Sequence, residues 1–317
     1  MSGEGRGRTE AELRHPWERG VYVASVVVNV LVAAASVGVI LLGAEWLGTH
    51  PFIAQHIDRI RLLAIAAVLA LPAAAVLRGT RRTTFLGNAV PVSHAQFPEL
   101  QETVARHCER LGMLDVPELF LAGGLDRCHA FSAWGRDYIV VGGPLLEVPD
   151  PGVRRDGLAF ALGSALGSIR LGHTRWWDDV LLAYVERVPI LGAPLAAVRT
   201  FSCDRYGAFL APEGLVGLVV EASGGDMLPE VALDVHVREA SHFDVANPWV
   251  WVAAVWRSRP HVSGRLRRLL NAGLLTPPGH PPSARRALRP RSDDAVNASM
   301  GRSDPEDHDA VTGALAG

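Results

Sequence analysis

Residue types that can do chemistry lie close together in ALGSALGSIRLGH, residues 161–173. Ser164 and Ser168 are four residues apart, so on a helix they share one face. With His173 and Asp204 they supply the residue types of a serine nucleophile, a base and an orienting carboxylate. However, Ser164 and His173 are nine positions apart, about two and a half helical turns, which points these side chains apart. Neither serine lies in a GxSxG motif.

Close packing is the other interpretation of this stretch. Gly163 with Gly167, and Ser164 with Ser168, form two pairs of small residues at four-residue spacing. Such pairs let the backbone of another helix approach closely. The pattern therefore predicts a helix–helix contact, with the serines as residues that fill space.

A metal site is the third kind of chemistry that the sequence offers. Thiolate and imidazole groups suit zinc, but the spacing of the available cysteines and histidines matches no known ligand pattern. The chain has three cysteines and no CxxC motif, which predicts reduced thiols rather than a disulfide framework. The residues of this weak alternative metal site are Cys128, His129, His173 and Cys203.

The N-terminal part of the chain has the pattern of a membrane hairpin. After a polar segment, 1–20, residues 21–43 carry no charge, and as a helix they span about 34 Å against a hydrocarbon core of about 30 Å. A short loop, 44–61, leads to a second apolar run at 62–77, which contains Pro72 and is either a second span or a buried core helix. Arginines flank the pair outside the loop, so the positive-inside rule predicts that both ends face the cytoplasm.

The rest of the chain predicts a globular domain at 84–275 and a disordered, proline-rich and then acidic tail at 276–317. Helices are expected at 97–112 and 156–173, a strand at 137–143, and a helical segment at 176–198 broken near its prolines. The fold class is therefore α+β, mostly helical with a small sheet. A net charge of −2 argues against binding to nucleic acid.

Several of these segments resemble the M48 family of membrane-linked zinc metallopeptidases, of the HtpX-like type. The resemblance covers roughly residues 90–270 and rests on HAFSAWGRDYIVVGGPLLEV (129–148), the small-residue helix ending in GH, SCDRYGAFLA (202–211) and SRPHVSGRLRRL (258–269). It implies a gluzincin fold. In that family a HExxH helix supplies two zinc ligands and a general base, and a later ExxxD-Arg pattern supplies a third ligand.

When the family's zinc-binding and general-base positions are aligned with this chain, each of them has a residue other than the family's. Ser164 and Ser168 stand where the resemblance places the zinc histidines, Ala165 where it places the base, and Thr200 where it places the third ligand. Neutral hydroxyl groups are poor zinc ligands, and alanine cannot accept a proton. The family uses zinc, whereas this chain is expected to have no cofactor and no catalysis at these positions.

Some of the family's other residues remain. Asp204 and Arg205 match its Asp-Arg pair and are expected to form a buried ion pair that holds two helices together, with a surviving substrate contact as the alternative. The strand beside the central helix is expected to pair with extended peptides through its backbone. That predicted binding strand contains Tyr138, Ile139, Val140, Val141 and Gly142.

These observations lead to the hypothesis of a membrane-anchored, cytoplasm-facing M48-like pseudopeptidase. It would contact the lipid bilayer and bind a peptide or protein partner, such as an active protease, as a regulatory or scaffolding subunit. One alternative is an active M48-type metalloendopeptidase with an unconventional metal site. Another is a structural membrane module that only docks other proteins.

Overall fold

The structure, a computed structural model, describes residues 10–42, 51–242, 247–255 and 259–274. The predicted tail, 276–317, lies outside the described residues, as do the first nine residues of the predicted N-terminal segment. The described chain is mostly helical, with one small mixed sheet and two long apolar helices. The predicted combination of helices and a small sheet is confirmed at this level.

Within its described residues, the N-terminal part contains three helices: α1 (Glu10–Leu13), α2 (Glu18–Leu41) and α3 (Pro51–Gly87). Helices α2 and α3 are each long and apolar enough to cross a membrane. Helix α3 continues through Pro72, and at about 1.5 Å per residue it is roughly 55 Å long. The predicted loop at 44–61 is therefore wrong in its second half, which is helical from Pro51 onwards.

The N-terminal segment packs on the domain. Leu13 is buried in one apolar cluster with Leu171 and Tyr206. Two residues later, the backbone N–H of His15 donates to the Ser202 hydroxyl at 2.9 Å. The chain that leads into α2 is thus fixed against the globular domain.

The sheet contains β1 (Val90–Pro91), β2 (Glu118–Ala122), β3 (His129–Ala133) and β4 (Arg136–Gly142), in the order β1-β2-β4-β3. Strand β4 pairs in parallel with β2 and antiparallel with β3, so it is an inner strand. Trp134 and Gly135 form the tight turn between β3 and β4, both with positive φ, as a two-residue hairpin turn requires.

The described residues after β1 form nine further helices. The predicted helices at 97–112 and 156–173 are confirmed, the second beginning earlier, where the Asp150 carboxylate accepts the N–H groups of Gly152 and Val153. The chain breaks before Pro189 as predicted, but Pro194 lies inside a continuous helix. These helices are α4 (Pro98–Leu111), α5 (Gly143–Leu146), α6 (Pro151–Arg170), α7 (Trp176–Leu181), α8 (Pro189–Leu210), α9 (Val216–Ser223), α10 (Leu233–His242), α11 (Pro248–Val255) and α12 (Val262–Asn271).

Helix α6 forms the centre of the domain. Its Leu162 and Leu166 are buried in the main apolar cluster with Ile139 and Val141 of the sheet. On the α8 side, a Cβ atom at Gly167 would lie 2.6 Å from the Cβ of Tyr206, so only glycine allows this approach. The predicted close helix–helix contact is confirmed, and the partner is α8.

Candidate functional site

A cavity of about 200 Å³ lies beside the crossing of α6 and α8. One wall comes from the start of β3, one from the middle of α6 and one from α8. All four positions at which the M48 resemblance places catalytic or zinc-binding residues line it, although they come from two helices. The lining includes Ser164, Ala165, Ser168 and Thr200, together with Cys128, His129, His173, Cys203, Glu221 and Arg259.

The side chains at these four positions do not fit a zinc ion. The Ser168 hydroxyl donates to the Ala165 carbonyl at 2.7 Å, and the Thr200 hydroxyl donates to the Ala196 carbonyl, also at 2.7 Å. Both groups therefore bond to their own helices. Zinc sites in proteins use imidazole, thiolate or carboxylate groups, and none of the four residues has one.

His173 and Cys203 form a neutral hydrogen-bonded pair at the edge of the cavity. The His173 Nε2 atom lies 2.9 Å from the Glu18 carboxylate, and its Nδ1 atom lies 3.7 Å from the Cys203 sulfur. Burial lowers the pKa of His173 and raises the pKa of Cys203 to about 12. A protonated thiol is a weak nucleophile and a poor metal ligand, so this pair serves as a link between α8 and the start of α2.

The other two residues of the weak metal hypothesis lie on the opposite wall. The His129 Nε2 atom is 3.7 Å from the Asp126 carboxylate, and burial, with Arg127 and Arg259 nearby, lowers the pKa of His129 to about 4. Burial also raises the pKa of Cys128 to about 12. Within the described ranges, no three His, Cys, Asp or Glu side chains are arranged to hold a metal ion.

The serine triad that the composition offered is not assembled. Ser168 donates to its own helix, and His173 contacts Glu18 and Cys203. The carboxylate of Asp204 is held by Arg265. None of these three residues hydrogen-bonds to another of them.

Asp204 belongs to a buried ion-pair network, two members of which, Glu221 and Arg259, line the cavity. It is fully buried, and both of its carboxylate oxygens accept from Arg265 of α12, at 2.7 and 2.8 Å. Arg265 also pairs with Glu221 of α9, which lies 3.5 Å from Arg259. Burial would lower the pKa of Arg265, but the two carboxylates outweigh it and raise that pKa.

This network corrects the expected role of the Asp-Arg pair. Asp204 does hold two helices together, but its partner is Arg265, while Arg205 donates to the backbone carbonyl of Arg14 at 3.3 Å. Sequence reasoning missed Arg265 and Glu221. The available signal was that Arg265 lies next to Leu266 and four residues before Leu269, on the buried face of α12.

The expected peptide-binding strand is also corrected. Tyr138, Ile139, Val140, Val141 and Gly142 all belong to β4, and each is paired with β2 on one side. β3 covers the other side of Tyr138, Ile139 and Val140, so these three residues have no open edge for a peptide, while Val141 and Gly142 lie beyond the end of β3. The sheet ends instead at β3, whose His129 and Ala130 line the cavity.

Comparisons with protein-family models, with curated proteins and with solved structures give no match to this chain.

Proposed function

We propose that this protein is a membrane-anchored, M48-like pseudopeptidase that binds an extended peptide segment without cleaving it. The observation that carries the proposal is the convergence of Ser164, Ala165, Ser168 and Thr200 on one cavity. The resemblance assigns these positions to a zinc site, and a site of that kind needs them to converge. Their hydroxyl and methyl groups lack the ligands and the general base that peptide hydrolysis by this family uses.

Membrane anchoring is supported by helices α2 and α3. Both have long apolar stretches, few of whose residues are buried within the protein. Their outward faces carry large apolar side chains, which lipid would cover at no cost in free energy. The arginines that flank the pair outside the loop favour a domain on the cytoplasmic side. Examples of the exposed apolar residues are Val27, Val30, Leu31, Leu62, Leu63, Leu69 and Val76.

Peptide binding is supported by the open edge of β3. In an antiparallel hairpin with a two-residue turn, hydrogen-bonded and non-hydrogen-bonded pairs alternate from the turn outwards. Ala133–Arg136 is the first pair, so the backbone groups of Ala130 and Ser132 point away from β4. Among the described residues, their backbone groups form no hydrogen bond outside the strands. An added strand would satisfy them and run along the cavity.

The test is binding of fluorescein-labelled nine-residue peptides of mixed sequence to the full chain in detergent, followed by anisotropy and by mass spectrometry. Ala130→Pro removes one outward N–H without removing a bond to β4, so it should weaken binding strongly while the domain stays folded. The matched control is Leu114→Pro in an exposed loop, which removes a backbone N–H that forms no hydrogen bond among the described residues and should not weaken binding. The bound peptides should be recovered intact.

Two results would overturn the proposal. The first is cleaved peptide, which would require a hydrolytic site in this cavity after all. The second is absence of peptide binding, or binding that Ala130→Pro and Leu114→Pro weaken equally, because neither is compatible with pairing at β3.

A further inference from the structure

A stretch of the globular domain, residues 176–191, packs along both candidate spans. It contains α7, the 3₁₀ turn Val185–Arg187 and the first residues of α8. Helix α8 runs antiparallel to α2, because one apolar cluster joins its Leu195 and Val198 to residues 21, 22 and 26 of α2, while Ser202 contacts Glu18. Residues before Leu195 therefore lie deeper along α2 than Val26.

The depth along α2 is fixed by Asn29. Its side-chain amide donates to the Val180 carbonyl at 3.0 Å, and its side-chain oxygen accepts from the N–H of Tyr184 at 2.8 Å. Asn29 is eleven residues from the start of α2 at Glu18, which is roughly 16 Å along the helix axis. Tyr184 is thus about half a hydrocarbon core, of about 30 Å, from that end of the span.

Contacts with α3 lead independently to the same depth for Tyr184. The Tyr184 hydroxyl donates to the Ala67 carbonyl at 2.9 Å, while Asp179 pairs with Arg78. Ala67 and Arg78 are eleven residues apart on α3, again roughly 16 Å. Asp179 is therefore near the polar end of the span, and Tyr184 is close to its middle.

Three apolar side chains are exposed on this stretch just after the exposed Glu186 and Arg187. Ile190 is 61% exposed, and Val188 and Leu191 are also exposed, just after Tyr184 in the chain. Trp176 and Trp177 are exposed beside Asp178 and Asp179, at the level where α3 becomes charged. Tryptophan is enriched at the membrane–water interface and aliphatic residues deeper in the bilayer.

Six charged residues around this stretch pair with one another, as a low dielectric favours. Asp179 contacts Arg78 and Arg82, while Asp178 lies 2.7 Å from Arg199. Glu186 is 3.7 Å from Arg199, so three carboxylates face three guanidinium groups. The Arg187 guanidinium donates to the Ala183 carbonyl at 2.6 Å.

From this register we infer that residues 176–191 are inserted into the same lipid leaflet as the adjoining halves of α2 and α3. The stretch enters at Trp176 and Trp177, turns near Tyr184 at mid-depth, and returns as α8. The domain is then embedded in the bilayer rather than tethered above it. This inference rests on the membrane anchoring proposed above.

The test is site-directed spin labelling of the full chain, with its three buried cysteines replaced, in phosphatidylcholine–phosphatidylglycerol vesicles. A nitroxide at Ile190→Cys should collide often with oxygen and rarely with a water-soluble nickel complex. Leu31→Cys on α2 is the lipid reference, and Trp134→Cys in the β3–β4 turn is the aqueous reference; both positions are exposed. The label at Ile190→Cys should match the Leu31→Cys reference, and Val188→Cys should repeat the result.

The references separate the two ways in which this can fail. If the Leu31→Cys label is in lipid but the labels at positions 188 and 190 match the aqueous reference, the insertion is overturned and the membrane anchor stands. If the Leu31→Cys label is itself aqueous, the anchor and the insertion are both overturned.

Discussion

Asp204 and Arg265 form a buried ion pair between α8 and α12. Both side chains are almost completely buried, and they bond through two hydrogen bonds. Removing one partner of a buried pair leaves an uncompensated charge. Asp204→Asn should therefore lower the free energy of unfolding by about 3–5 kcal/mol, measured by guanidinium denaturation in detergent.

The matched control is Arg136→Gln, which breaks an exposed pair with Glu118. Water already solvates both charges there, so the denaturation midpoint should not move. A loss of stability for Asp204→Asn as small as that for Arg136→Gln would contradict the network described here.

His129 makes stability depend on pH. Its pKa is about 4 in the folded chain, against an ordinary value of 6.5, because of burial first and of nearby arginines second. Between these values the unfolded chain binds more protons, so stability is full above pH 6.5 and falls as the pH drops towards 4. His129→Gln should flatten this slope in denaturation midpoints measured from pH 7 to 4, whereas His94→Gln, at an exposed position, should not.

At the scale of elements, the α6–α8 crossing determines whether the cavity exists. Gly167 faces the Tyr206 side chain, and an added methyl group would overlap it. Gly167→Ala should therefore destabilise the fold by about 1–3 kcal/mol, because the two helices must move apart. Gly264→Ala in α12 has open space and should be neutral or stabilising by up to about 1 kcal/mol. Equal effects on the denaturation midpoint would mean that α6 and α8 do not touch here.

At this scale, the sequence could predict single helices and the faces by which they pack. Periodicity and small-residue spacing predicted α4, α6 and the α6 contact face, because these depend on neighbours along one helix. The length of the uncharged run at 21–43 predicted α2. The order of strands depends instead on pairing across the chain, so the sequence suggested β4 as a binding edge, although β2 covers it.

For the site too, the sequence predicted some of the residues and missed the partners that lie far away along the chain. The M48 resemblance brought Ser164, Ser168 and Thr200 together before any geometry was known, and they do line one cavity. It did not indicate Arg265 as the partner of Asp204, since 61 residues separate them and the chain contains many arginines. The same limit applies to Glu18, which contacts His173 from a position 155 residues earlier in the chain.

At the scale of the whole molecule, Asn29 links the N-terminal helices to the domain. Its side-chain oxygen accepts from the N–H groups of Tyr184 and Val185, which otherwise have no partner among the described residues. Asn29→Leu should cost about 1–3 kcal/mol for each buried donor left unpaired. Val30→Leu, at the next and exposed position, should cost little in the same denaturation assay. Equal losses would show that Asn29 does not join the two parts.

At the scale of the whole molecule, we propose that the cavity lies where the M48 resemblance places a zinc site and that it lacks the residues of one. This proposal predicts that replacing the four residues by those of the M48 pattern produces zinc binding, because α6 and α8 place the four positions around one cavity. S164H/A165E/S168H/T200E would supply two imidazoles, a base and a third ligand. S164H/A165E/S168Q/T200E is the matched control, similar in bulk but one imidazole short.

The decisive measurement is zinc stoichiometry by elemental analysis. The full chain is purified in detergent, stripped with a chelator and offered zinc again. We predict almost no zinc on the natural chain and on the S168Q-containing control, and about one zinc per chain on S164H/A165E/S168H/T200E. About one zinc on the natural chain would contradict the account and direct attention to His129, His173, Cys128 and Cys203.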